Sequence, residues 1–575
     1  MGNNKYLDCK EIIATLFVTE VKMVGLDQDE IYALLEYPPD EKLGDLALPC
    51  FKFSKIFKKP PHVIAEEFQA KIASSPYIQE AIAIGPYLNF RFAPNKLAET
   101  VLKKILTTRE RYGAQNIGDG RNIVIDYSAP NIAKPFHVGH LSSTVIGNSL
   151  YKLFTFLGYN CVGVNHLGDW GTQFGKLITA YNKWGSKLAV EEGLIQELMR
   201  LYVKFHEEAE KDPVLEDEAR EWFNKIENGN QEAMELWKWF KEISLEEFQK
   251  VYEILDITFD STAGESFYND KIEAVVNELK EKNLLEESKG ASIVNLDQYG
   301  MPPCLILKKD GSSLYATRDI AAALYRKKTY NFTKNLYVTG IAQSLHFQQW
   351  FKVVELMGYE WAKDLVHIPF GWVNLEGEKL STRKGKVVLL EDLLETTIKR
   401  TLEIINEKNP GLVGKEEIAK EVGVGAVIFG ALSVNRIKDV TFSWEEALNF
   451  DGETGPYLQY THARACSILR KVAFEPDSNL DFEPKRLDDQ AALKVVKTLY
   501  LFPEKIVAAS NEYEPSIISR YLISLAQDFN GFYHECQVLV EDKALQQARL
   551  VLVYAVKTTL AVGLGLLGIK APERM

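Results

Sequence analysis

Cysteine is scarce and scattered, with six residues (Cys9, Cys50, Cys161, Cys304, Cys466, Cys536) and no C-x-x-C pair among them. That spacing disfavours a disulfide framework and a cysteine zinc site, and a reducing cytoplasm is expected. A Walker A sequence is also missing. Its nearest approach, Gly171-Thr172-Gln173-Phe174-Gly175-Lys176, has the wrong glycine spacing and no hydroxyl residue after the lysine, which argues against a P-loop ATPase. The amino terminus lacks an apolar signal region, and Met1-Gly2 followed by Tyr6 lacks the Ser or Thr of a myristoylation site. Positive net charge is absent as well: 67 Lys and Arg against 80 Asp and Glu leave −13. This opposes wholesale nucleic-acid binding and leaves room for a local basic groove. One apolar run, residues 551–569, has the length of a membrane span, but Lys557 in its middle would cost about 2.5–3.5 kcal/mol in a bilayer. A buried core helix is predicted there.

What is present describes an ordinary globular protein, 46% apolar and 26% charged. Its 575 residues exceed a single core, so about three or four domains are expected. The chain is organised around the stretch from Ser128 to His140, SAPNIAKPFHVGH. A β-type apolar run over 122–127 leads into it and a helical pattern over 141–157 leaves it. Strand, turn and helix put a His-x-Gly-His at a helix start, where free N–H groups and the helix dipole attract phosphate. A second strand at 161–165 completes a β-α-β pattern, which implies a parallel sheet with ligands at the carboxyl ends of its strands. That strand ends in Asn165-His166-Leu167-Gly168-Asp169-Trp170-Gly171, a second polar and glycine cluster at the same edge.

Residues 186–255 are charged and helix-patterned, with Trp222, Trp237, Trp239 and Phe240 as their apolar stripe, and read as a structural insertion. Sheet pattern resumes after Glu287, with short runs at 292–296 and 304–307. A helix from Leu314 to about Tyr325 follows, then a strand at 335–340, a helix at 345–357, a strand at 365–370 and a charged loop at 376–386. Residues 1–108 read as an α+β unit, with helices around 7–21 and 63–72 and a strand-like alternation over 82–92. Residues 456–575 read as a helical bundle.

His137 and His140, three apart at a helix start, can face one ligand. Metal binding would need a third partner that the local sequence does not supply; the alternatives are core histidines, or imidazole N–H donors aimed at a phosphate that gains charge. Tyr315 and Asp319 share a helical face, as an ordinary helix-end pair beside Arg318 or as a guanidinium site, an aromatic beside a carboxylate. The Lys379–Lys386 run is a solvated charge run or a loop that closes over a triphosphate. Lys52, Lys55, Lys58 and Lys59, interleaved with Phe51, Phe53 and Phe57, form a solvated face or an RNA-binding surface.

These residues resemble the arginyl-tRNA synthetases of the class I aminoacyl-tRNA synthetases. Ser128–His140 resembles that family's form of the class signature, and Asn165–Gly175 its second hallmark. Tyr315-Ala316-Thr317-Arg318-Asp319-Ile320 resembles its third, Lys379-Leu380-Ser381-Thr382-Arg383-Lys384-Gly385 its second class signature, and Pro572-Glu573-Arg574-Met575 its usual ending. The resemblance implies an α/β class I catalytic domain with a Rossmann-type parallel sheet over 109–451, its helical insertion at about 186–255. It also implies an N-terminal α+β domain over 1–108 that meets the tRNA outer corner, and a C-terminal α-helical anticodon-binding bundle over 452–575.

The implied reaction joins L-arginine to arginine tRNA through an ATP-derived arginyl-adenylate, with Mg²⁺ accompanying ATP, no prosthetic group and no resident metal. The implied enzyme is cytoplasmic, monomeric and free of any membrane; the alternative is a synthetase-like tRNA-binding protein without charging activity. By motif, His137, His140, Lys134 and Lys379 are the implied catalytic residues, and Gly139 and Ser381 join His137, His140 and Lys379 around ATP. Gly139 leaves room for adenine. Asp126, Asn131, Tyr315, Asp319 and Gln343 fall at the arginine-binding positions, and Lys55, Lys58, Tyr457, Tyr460, Arg464, Tyr533 and Met575 at candidate tRNA contacts. Thr382 stands where the class signature has its second lysine, with Lys134 or Lys384 as the substitute. Ala129, Asp126 and Ser142 stand where relatives carry serine, glutamate and arginine.

Overall fold

The computed structural model describes residues 8–21, 26–72, 75–309, 314–375 and 388–575, and their contacts divide the chain into two compact units. One comprises Met1–Gly113, Arg464–Glu504 and Ser524–Val562. Its sheet has three antiparallel strands, β1 (Leu46–Pro49), β2 (Ile78–Ile84) and β3 (Tyr87–Phe92), with β3 in the middle. The alternation over 82–92 that reads as one strand is therefore a hairpin. Gly85 turns the chain at φ +56°, a left-handed conformation that glycine adopts without a Cβ clash.

Phe17 and Phe53, both buried, meet Phe68 edge to face with ring centroids 5.3 Å apart. In the basic-aromatic stretch Phe53 thus belongs to the core. Lys52 and Lys59 have carboxylate partners in Glu30 and Glu67, at 3.7 and 2.5 Å, and Lys55 and Lys58 are exposed. Carboxyl-half residues complete this unit: the Tyr500 hydroxyl accepts the Cys9 N–H at 2.9 Å, and Lys497 pairs with Asp45 at 2.6 Å. The apolar run predicted as a core helix lies, over 551–566, in the helix Lys543–Leu566. That helix is long and apolar enough to cross a membrane, and 72% of its most apolar stretch is buried inside the protein.

The other unit comprises Ala114–Ala463, Lys505–Ile523 and Gly563–Met575. Its parallel sheet is built from β4 (Asn122–Asp126) and β5 (Asn160–Val164). After β6 (Glu286–Ser288), β7 (Ala291–Val294) and β8 (Cys304–Leu307) come its remaining strands, β9 (Lys334–Gly340) and β10 (Leu365–Phe370). The order across the sheet is β10-β9-β4-β5. From β4 the chain steps to β5 on one side and then crosses to β9 on the other, so the carboxyl ends of β4 and β9 flank a topological switch point, where doubly wound sheets bind ligands. The short runs after Glu287 do not extend this sheet. β6, β7 and β8 form a separate antiparallel sheet, and β11 (Val373–Leu375) pairs in parallel with β12 (Val440–Phe442).

Trp350, Phe347, Tyr337 and Ile320 centre a buried cluster that joins β9 to its flanking helices. On the opposite flank the helix Leu141–Phe156 follows the signature turn, with every residue from Leu141 to Leu150 buried. Gly147 lets it approach the strand end: a Cβ there would lie 2.2 Å from that of Tyr127.

Candidate active site

Between β4 and the helix Leu141–Phe156 the backbone is strained. Ser128, Ala129 and Ala133 take φ of +72°, +48° and +60°, and non-glycine residues in that region cost about 1–3 kcal/mol each. Neighbouring groups offset the strain. The Ser128 N–H donates to Ser143 Oγ at 3.0 Å, Ala129 N–H to Asn165 Oδ1 at 3.1 Å and Ala133 N–H to Ser244 Oγ at 2.9 Å. The second cluster is clamped to the first: Gly168 N–H reaches the Pro130 carbonyl, and Ile132 N–H the Gly168 carbonyl. Asn131 is exposed on this clamp.

Hydrogen bonds assign the tautomers of both signature histidines. His137 Nδ1 accepts the Gly139 N–H at 3.0 Å, and His140 Nδ1 accepts the His137 N–H at 3.2 Å. A neutral imidazole that accepts at Nδ1 carries its proton on Nε2, so each ring presents an Nε2–H donor. The ring centroids are 4.1 Å apart. Burial holds both below the usual imidazole range, His140 down to about 3, with the neighbouring Lys134 charge adding to the effect. Gly139 has a nearer purpose than room for adenine: a Cβ there would meet Cε1 of His137 at 2.7 Å, so the glycine admits that ring. Lys134 lies 5.8 Å from the Tyr202 ring centroid, its own pKa lowered by burial.

These depressed histidines set a pH dependence of stability. A ring whose folded pKa lies below its unfolded value of about 6.5 takes up a proton first in the unfolded chain, so its stabilisation is complete above that pH and is lost as pH falls towards the folded value. For His140 the loss is about 1.4 kcal/mol per pH unit between those limits. The thermal midpoint of His140→Asn therefore falls less steeply than that of wild type between pH 6 and 4.5; parallel slopes would mean that His140 titrates freely.

Across the switch point, Asp319 lies in the helix Tyr315–Tyr330, and its Oδ2 accepts from His346 Nε2 at 2.6 Å. Tyr315 is 61% exposed, its ring 5.1 Å from the Arg318 guanidinium, and Gln343 is exposed in the turn after β9. Asp126, at the end of β4, is already partnered: its Oδ2 lies 2.8 Å from Nη1 of the fully buried Arg326. That guanidinium also contacts His166 Nδ1 at 3.3 Å and lies 5.6 Å from the Tyr337 ring centroid. Glu265 sits 3.6 Å from Arg318, yet burial outweighs that attraction and pushes its carboxyl up to about 7.

Lys379, Ser381 and Lys384 lie outside the described residues. The chain on either side is anchored at the histidines: β11 packs against the 138–140 turn, the Val388 carbonyl accepts the Val138 N–H at 3.1 Å, and Leu390 N–H donates to the Phe136 carbonyl at 2.9 Å. Of the tRNA candidates, Tyr457, Tyr460 and Arg464 share the helix Gly455–Lys471, with Tyr460 41% exposed. Arg464 donates to Asn530 at 2.6 Å and lies 5.4 Å from the Tyr533 ring centroid. The Met575 carbonyl accepts from Asn409 Nδ2 at 3.5 Å. Among the described residues no group of three His, Cys, Asp or Glu is poised to hold a metal ion.

Sequence reasoning passed over His346, Arg326 and Tyr252. A signal existed for two: His346 follows Gln343 by three positions, and Arg326 follows Asp319 by seven, each on the same helical face.

Three family models match: "tRNA synthetases class I (R), catalytic domain" over 101–444, "DALR anticodon binding domain" over 458–575, and "Arginyl tRNA synthetase N terminal domain" over 10–92. A relative from Alkaliphilus metalliredigens named arginine–tRNA ligase is 55% identical, covering 99% of this chain and 100% of its own length. One of the same name from Halothermothrix orenii is 54% identical with the same coverage. Among solved structures, Thermus thermophilus arginyl-tRNA synthetase superposes with a TM-score of 0.84 at 26% identity, and that of Plasmodium falciparum with 0.82 at 25%. Each covers 99% of this chain and 100% of its own.

Proposed function

The chain belongs to the arginyl-tRNA synthetase family and is an arginine–tRNA ligase, and we propose from that premise how its residues divide the work. L-arginine and ATP give arginyl-adenylate and pyrophosphate, and the arginyl group then passes to the 3′ end of arginine tRNA with release of AMP. The paired Nε2–H donors of His137 and His140 carry this reading. Neutral and fixed in direction, they stabilise the charge that grows on the α-phosphate during displacement, without reorganising. Lys134, beside them, supplies positive charge in place of the missing signature lysine. Lys379 and Ser381 hold the departing pyrophosphate, since the chain on both sides of their loop is anchored at the histidine turn. Gly139 serves ATP indirectly, by seating the His137 ring. Mg²⁺ enters with ATP, on phosphate oxygens and water.

Asp319 takes the substrate guanidinium with Tyr315 against its plane, and Gln343 and Asn131 line the same crevice. Asp126, its charge balanced by Arg326, forms the floor of that pocket. The N-terminal domain, 1–108, meets the tRNA outer corner through Lys55 and Lys58. The bundle, 452–575, offers Tyr457, Tyr460, Arg464, Tyr533 and Met575 to unstacked anticodon bases, and residues 109–451 form the catalytic domain. All six cysteines are free, which suits a reducing cytoplasm, and the family likeness favours a monomer.

The direct test is ATP–pyrophosphate exchange with arginine, run with and without arginine tRNA. Exchange is expected in the presence of tRNA. No exchange under either condition, with tRNA still bound, would make the protein a tRNA binder without charging activity.

A further inference from the structure

The helical insertion reads in sequence as structural, yet one face of its last helix, Gln231–Leu255, touches both halves of the site. Trp237 Nε1 donates to the Asp169 carbonyl at 2.9 Å and Lys241 pairs with the Asp169 carboxylate at 2.5 Å. Further along, Ser244 Oγ takes the Ala133 N–H, and the rings of Phe248 and Tyr252 each lie 5.4 Å from that of Phe136. Residues 237, 241, 244, 248 and 252 fall on one helical stripe.

At Tyr252 the contacts form a directed series. Asn165 Nδ2 donates to the Tyr252 hydroxyl at 2.9 Å, and Thr144 Oγ1 donates to the His140 carbonyl at 2.7 Å. The two bonds between these ends, Tyr252–Ser128 at 2.8 Å and Ser128–Thr144 at 2.9 Å, are hydroxyl to hydroxyl. Each hydroxyl has a single proton, so Tyr252 donates to Ser128 and Ser128 to Thr144. The series runs from the β5 strand end, through the insertion and the left-handed Ser128, to the carbonyl of a signature histidine.

We propose that Tyr252 is a positioning residue for arginine activation, its hydroxyl fixing the signature turn so that the His137 and His140 donors meet the phosphate in the right geometry. This rests on the assignment of that turn to ATP. Tyr252 is buried, 4% exposed, so it acts through the turn. Its ring is already packed on Phe136 and Phe259, so Tyr252→Phe keeps the packing and removes only the relay.

The experiment compares full-length wild type, Tyr252→Phe, Ser128→Ala and the double variant by ATP–pyrophosphate exchange and by amide hydrogen exchange. A misplacement of about 1 Å costs up to about 100-fold. The expected result for Tyr252→Phe is a kcat lower by about 10- to 100-fold, with KM for arginine and ATP within about threefold of wild type. Amides over 128–140 exchange faster, and those of the Gln231–Leu255 helix do not. Ser128→Ala behaves alike, and the double variant loses little more, as members of one network do. A kcat close to that of wild type, unchanged exchange over 128–140, or fully additive losses would each overturn the proposal. If wild type itself exchanges no pyrophosphate, the activity assignment fails, and amide exchange alone decides whether Tyr252 holds the turn.

Discussion

Asp319→Asn lowers kcat/KM for arginine in ATP–pyrophosphate exchange by about 10³- to 10⁴-fold. The side chain keeps its size, and its remaining oxygen still accepts the His346 Nε2–H that Asp319 Oδ2 accepts at 2.6 Å, so the helix Tyr315–Tyr330 keeps its packing. What disappears is the charge and the second acceptor. In the proposed assignment the substrate guanidinium then enters a crevice without its counter-ion, and an uncompensated charge out of water costs several kcal/mol. Nearby charges do not compensate. Asp126 is held by Arg326 at 2.8 Å, and Glu265 faces Arg318 at 3.6 Å. Steady-state exchange at saturating ATP and varied arginine measures the effect. Arginine dependence like that of wild type would remove Asp319 from the site.

Much of this arrangement is legible in sequence because it is local. The parallel strands at 122–126, 160–164, 334–340 and 365–370 lie within a residue of the expected runs, since apolar β-type runs ending in polar or glycine residues mark both strand and carboxyl end. Direction is not local. The runs at 292–296 and 304–307 look like more of the same sheet, yet they pair antiparallel in another. At 82–92 the alternation continues through Gly85-Pro86, so a two-strand hairpin looks like one strand.

The site divides the same way. His137, His140, Tyr315 and Asp319 announce themselves through residue type and spacing at helix starts. Spacing alone does not say what their supports pair with: His346 is 27 positions from Asp319, Tyr252 is 124 from Ser128, and Arg326 meets Asp126 across the whole insertion. Such pairs become neighbours only when the β4–β9 crossover closes. Asp126 shows the consequence, because motif position suggests a substrate ligand and only the fold reveals its resident partner.

His140→Asn lowers kcat for exchange by about 10²- to 10³-fold, the range for loss of one preorganised donor to a developing oxyanion, with KM for ATP and arginine little changed. Asparagine is the informative replacement. Its carbonyl stands near the position of Nδ1 and can still accept the His137 N–H, a bond of 3.2 Å in the native turn, while nothing replaces the Nε2–H. His140→Gln reverses the trade, since its amide nitrogen approximates Nε2 and the backbone acceptor is lost. If the donor matters more than the turn, glutamine recovers part of the rate that asparagine loses. The pH profile separates charge from direction. Burial holds both rings below the ordinary imidazole range, His140 down to about 3, so lowering the pH from 8 to 6 leaves His140 a neutral donor. A kcat that rises through that interval in wild type and not in His140→Asn would mean an imidazolium acts instead. A KM for ATP that rises in proportion to the loss would mean that the ring binds substrate and transition state alike.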